Sequence, residues 1–148
     1  MGNIFVSGYT EGALEGNTSE GGYDIFLTKW NADGTYGWIK QWGTASGEEG
    51  TAVAIGNSDN IFVAGYTGGD LDGNLQVGGG DIFLTEWLAD GAKTWTKQWG
   101  TSLWDLSMDM EIDSLGDIFV VGYTLGGLDG NTNAGGNGDI YLTKWLTE

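Results

Sequence analysis

The stretch Asp24 to Trp30, DIFLTKW, returns as Asp81 to Trp87, DIFLTEW, and again as Asp139 to Trp145, DIYLTKW, at spacings of 57 and 58 residues. Other landmarks keep that beat. Asn3-Ile4-Phe5-Val6, Asn60-Ile61-Phe62-Val63 and Asp117-Ile118-Phe119-Val120 stand 57 residues apart. The chain is therefore one unit written about two and a half times, with repeats at about 1–58, 59–115 and 116–148 in a single repeat domain. A period of this length is long for a solenoid coil and suits a supersecondary unit such as a propeller blade.

Each unit reads as four strands. Ile4, Val6 and Gly8 alternate with Phe5, Ser7 and Tyr9, which is the two-residue period of a strand with apolar side chains on both faces. DIFLTKW supplies a second strand. Asn31-Ala32-Asp33-Gly34, matched by Leu88-Ala89-Asp90-Gly91, then carries the Asp-Gly signal of a hairpin into Gly37–Thr44 and Thr94–Thr101. The unit closes with 49–55, EGTAVAI, or its looser copy 106–112, LSMDMEI, and a short turn into the next NIFV-type strand. No stretch of a dozen residues holds a helical apolar stripe without being cut by glycine. Counted this way, the chain holds three strands of one blade, four of a second and three of a third.

Composition agrees with many short strands joined by turns: 29 Gly, no Pro, and 8 Trp, 6 Tyr and 5 Phe among 148 residues. With 21 acidic against 5 basic side chains, the formal charge of −16 opposes binding to nucleic acid or anionic lipid. No tract of ~18 apolar residues is present to insert into a membrane. The start Met1-Gly2 runs straight into a strand, without the pattern of an export signal. Absence of Cys and His removes disulfides, thiolate sites and the commonest general base. No nucleophile elbow or phosphate-binding loop occurs either, so the expectation is a protein that is not an enzyme.

Together, Thr51 to Ile55, Asn57 to Thr67 (NSDNIFVAGYT) and Asp81 to Gly91 resemble the bacterial beta-propeller repeat family, often abbreviated SBBP. The chain departs from that family's pattern in Phe for the usual Tyr of NIFV. It also has Ala32 and Ala89 where Pro is frequent, and Trp30, Trp87 and Trp145 where Tyr is frequent. The resemblance covers nearly the whole chain and implies an all-β propeller of four-stranded antiparallel blades, usually in exported or cell-surface proteins, with no assigned chemistry. Three partial blades do not close a ring of ~4 to 8 blades, and an open end exposes unpaired edges. Self-association follows as an expectation, either two chains in a ring or a head-to-tail filament.

Two sets of side chains are candidates for binding. In the loop feeding each DIFLT-type strand, Glu15 and Asn17, Asp70, Asp72 and Asn74, and Asp129 and Asn131 precede Asp24, Asp81 and Asp139 respectively. Carboxylate and amide oxygens so spaced suit calcium, which takes about six to eight oxygens; the same residue types also close turns on their own backbone. Leu14, Leu71 and Leu128 are expected to pin these loops. Trp38 and Trp42, and Trp95 and Trp99, are four apart in strands and so share a face. With Trp104, they suit stacking against sugar or packing between blades. The reading is a self-assembling scaffold or adhesion module, and the alternative is a repeat lectin that binds glycans at shallow sites.

Overall fold

The computed structural model describes residues 2–146. The fold is all-β, with ten strands among the described residues: β1 (Ile4–Thr10), β2 (Asp24–Trp30), β3 (Tyr36–Trp42), β4 (Glu48–Ile55), β5 (Ile61–Thr67), β6 (Asp81–Trp87), β7 (Lys93–Trp99), β8 (Asp105–Ile112), β9 (Ile118–Thr124) and β10 (Asp139–Trp145). They form three antiparallel meanders, β1-β2-β3, β4-β5-β6-β7 and β8-β9-β10. The three-four-three partition is the one the repeat implies. Among the described residues the sheets do not close into a ring.

Register repeats from sheet to sheet. Thr10 faces Asp24, Thr67 faces Asp81 and Thr124 faces Asp139. The turns obey the glycine signals: Gly34 and Gly91 take φ of 85° and 88°, a region closed to most side chains, before β3 and β7. The edge strands β4 and β8 each carry a bulge, between Gly50 and Ala52 and between Ser107 and Asp109. A bulge bends and twists its strand. Thr51 and Ser107, at the two bulges, share a 3.2 Å hydroxyl contact from sheet to sheet.

The sheets stack in series and bury one apolar seam at each junction. In the first seam, Ile25, Leu27 and Trp42 of the first sheet meet Ile61, Val63, Phe83 and Trp87 of the second, with Leu71 of the loop. In the second, Phe62, Ala64, Ile82 and Leu84 meet Met110, Ile118, Val120 and Tyr141, with Leu128 of its loop. Leu71 and Leu128 are buried and pin their loops as expected, each opening a short 3-10 turn; Leu14 is half-buried. Trp rings close the seams, Trp42 on Trp87 with centroids 4.8 Å apart and Trp99 on Trp145 at 5.1 Å. Lys93 Nζ stands 5.8 and 5.7 Å from the Trp42 and Trp87 rings, a cation–π cap on the first seam.

The aromatic surface expected on each complete unit is thus covered. Trp38 and Trp42 do share a face, and Trp95 and Trp99 another, but those faces pack in the seams. Trp38 also lies against Phe5 and Trp95 against Phe62. Trp104 differs, with 46% of its surface exposed.

Candidate functional site at the sheet seams

Asp24 and Asp81 begin the strands β2 and β6, and both are fully buried. Each ties down the acidic loop before it. Asp24 Oδ2 accepts from the Glu20 amide at 3.0 Å and from Gln41 Nε2 at 2.7 Å. Asp81 Oδ2 accepts from the Val77 amide at 2.7 Å and from Gln98 Nε2 at 3.0 Å. The glutamines complete the latch, because Gln41 Oε1 takes the Leu14 amide at 2.8 Å and Gln98 Oε1 takes the Leu71 amide at 3.0 Å. Their Nε2 groups also donate to Gly12 O and Gly69 O. Asp139 is half-buried and keeps only the first half of this pattern, accepting from the Ala134 amide at 2.5 Å.

The loop acids go elsewhere. Asp70 Oδ1 accepts from the Gln76 amide, and Asp72 pairs with Lys93 and accepts from Thr96. Asn17, Asn74 and Asn131 donate to the carbonyls of Leu14, Leu71 and Leu128, closing the turn. Glu15, Asp72 and Asp129 sit at φ of 24°, 52° and 53°. Among the described residues no group of three or more acids is arranged to hold a metal ion. The acids of the expected calcium set, Glu15, Asp24, Asp70, Asp72, Asp81, Asp129 and Asp139, do not form such a group among the described residues. Asn17, Asp70, Asn74 and Asn131 act as turn formers by bonding the backbone of their own loops, whereas Asp72 is tied to the side chains of Lys93 and Thr96 on β7.

The structure brings another pair together instead. Glu48 and Asp105 begin the strands β4 and β8, and both are fully buried. Glu48 Oε1 accepts from the Thr44 and Thr67 hydroxyls and its Oε2 from the Thr44 amide at 2.7 Å. Asp105 accepts from the Thr124 hydroxyl and, at Oδ2, from the Thr101 amide and hydroxyl. Between Asp24 and Glu48 stands Gly43; between Asp81 and Asp105 stands Gly100. A Cβ built on Gly100 would lie 2.5 Å from Asp81 Oδ1 and 2.9 Å from Asp105 Oδ2. One on Gly43 would lie 2.7 Å from Glu48 Oε2 and closer still to Asp24 Oδ1. Asp24 Oδ1 and Asp81 Oδ1 have no hydrogen-bond partner. Each seam thus places two carboxylates face to face across a glycine, one of them with a free, buried oxygen.

Glu48, Asp105, Gln41 and Gln98 escaped sequence reasoning, although a signal was present. The tetrapeptide QWGT recurs at 41–44 and 98–101, with an acid four residues after its threonine both times.

No family model matches this chain. Over 106 residues, 67% of its length, the chain is 31% identical to "Regulatory protein FlaEY" of Caulobacter vibrioides (strain ATCC 19089 / CIP 103742 / CB 15). It spans about a tenth (10%) of that protein's length.

Proposed function

We propose that this chain is a non-enzymatic β-propeller-type scaffold module whose working form joins copies head to tail. The carrying observation is a difference between equivalent positions. Ile25 and Ile82 are fully buried, yet their counterpart Ile140 is 91% exposed; Leu27 and Leu84 are fully buried, yet Leu142 is 66% exposed. On the opposite outer face Ile4 and Val6 are exposed, whereas Ile61, Val63, Ile118 and Val120 are buried. One outer face thus carries the residues that a preceding sheet presents, and the other carries those that receive it. A second copy of the chain is the occupant that continues the internal seams. Burying the surface that these four side chains leave exposed contributes on the order of 4–8 kcal/mol before association costs.

Propeller blades, membership of the bacterial beta-propeller repeat family and an exported or surface setting all belong to this proposal. They are supported by the period, the meander topology and the sequence resemblance. The absence of His and Cys supports a role without catalysis. Light scattering across a dilution series tests assembly, with a mass at a multiple of 15.7 kDa expected, reduced to one chain by Ile140→Asp. A folded wild-type chain that stays at 15.7 kDa at every concentration would overturn it. A lectin role keeps one specific support, the half-exposed Trp104 ring lying on Gly79 and Gly80. Retention on a sugar resin that is lost in Trp104→Ala would establish it, and no retention would remove it.

A further inference from the structure

The paired carboxylates at the seams have a consequence for ligand binding that does not depend on assembly, because both seams are internal to one chain. Asp24, Glu48, Asp81 and Asp105 are all 0% exposed. Among the described residues the ion pairs join Lys93 to Asp72 and Lys144 to Asp117, and neither includes any of these four carboxylates. Two carboxylates buried face to face without a counter-charge lose hydration and repel one another. Every oxygen of Glu48 and Asp105 is occupied by a donor, and so is Oδ2 of both Asp24 and Asp81; the two Oδ1 atoms are not.

We propose that each seam is a binding site for a hard divalent cation of the calcium class, held between Asp24 and Glu48 in the first and between Asp81 and Asp105 in the second. The glycine is part of the site. A Cβ on Gly100 would stand 2.5 and 2.9 Å from the two carboxylate oxygens, so only glycine lets both approach the backbone at this point. A methyl group there would collide with both oxygens, whereas an ion standing off the backbone at the mouth of the wedge draws on them. Calcium takes about six to eight oxygens, so the two carboxylates form part of its shell and not the whole. The seam differs from the acidic loop in holding two buried carboxylate oxygens without a donor, Asp24 Oδ1 and Asp81 Oδ1. A cation placed here bridges two sheets, so occupancy locks successive units together.

Terbium, a calcium substitute excited through nearby indole rings, tests this, because Trp42 and Trp99 adjoin the two glycines in sequence. The folded chain is expected to bind two terbium ions with sensitised emission, displaced by calcium. Asp81→Asn and Gly100→Ala are each expected to leave one ion, and Asp24→Asn likewise. Asp72→Asn, in the loop, is expected to leave two. Calcium should raise the melting temperature and a chelator should reverse the rise. The wild-type stoichiometry decides the matter even where a variant folds poorly. No sensitised emission from the folded wild-type chain overturns the proposal, as does loss of binding in Asp72→Asn with retention in Asp81→Asn. A melt unchanged across millimolar calcium overturns it too.

Discussion

Replacing Gln98 by alanine removes the clasp that joins the second acidic loop to its sheet, and its cost can be worked from the bonds it makes. Its Nε2 donates to the buried Asp81 carboxylate and to Gly69 O, and its Oε1 takes the Leu71 amide, each at 3.0 Å. The bond to a carboxylate contributes about 1.5–3 kcal/mol and a neutral one about 1 kcal/mol. Gly69 O keeps a second donor, the Thr67 hydroxyl, so little is lost there. Asp81 Oδ2 keeps only the Val77 amide, on a carboxylate whose other oxygen is already unpartnered. The expected loss is about 3 kcal/mol. With a urea dependence of about 2 kcal/mol per molar, the midpoint should fall by roughly 1.5 M. Urea melts followed by tryptophan fluorescence at one low concentration measure this. Hydrogen exchange at the Leu71 amide should quicken in the same variant, because its acceptor is gone. A midpoint shift below about 0.3 M, with exchange at Leu71 unaltered, would refute the reasoning.

Two further outcomes follow from burial. Ile82→Ala should cost about 2–5 kcal/mol in a melt of the dilute chain, and Ile140→Ala at the equivalent position within about 0.5 kcal/mol; equal losses would deny that the two positions differ. Burial, with the Asp105 charge behind it, raises the Tyr141 phenol above its ordinary range, and burial with Glu49 beside it raises Tyr66. A neutral phenol favoured by the fold leaves stability intact below pH ~10, the unfolded value, and stability falls as pH rises beyond it. Tyr141→Phe should blunt that alkaline loss, read as melting temperature between pH 9 and 12.

The strands were legible because their causes are local. Alternation in NIFV and DIFLT, Asp-Gly before β3 and β7, and the beat of 57 residues are properties of short windows, so the meander and its three-four-three partition could be read directly. The site was not, because its causes are distant. Asp24 stands in the DIFLTKW repeat, but its partner across Gly43 is Glu48, one residue ahead of the strand that the sequence marks at 49–55. Only the stacking of one sheet on the next buries it. The acids of the loop differ for the complementary reason: Asp70, Asp72 and Asn74 advertise oxygen in a row, yet Asp70 and Asn74 bond their own loop and Asp72 is held by Lys93 and Thr96 of β7. The tryptophans at 38, 42, 95 and 99 likewise have a face in common, and sequence alone does not say what covers that face.

Both seams are built entirely from neighbouring units, with Trp42 on Trp87 in one and Trp99 on Trp145 in the other. Each junction is therefore indifferent to how many others exist. Removal or duplication of one whole period within the coding sequence would rejoin a leading face to a trailing face of the same chemistry, with Gly, Gln and acid back in place. A shift of even one residue would turn every strand over and expose its apolar side. Unit number is thereby free to drift in whole steps while the contact between units stays fixed, as expected of a quasi-one-dimensional chain.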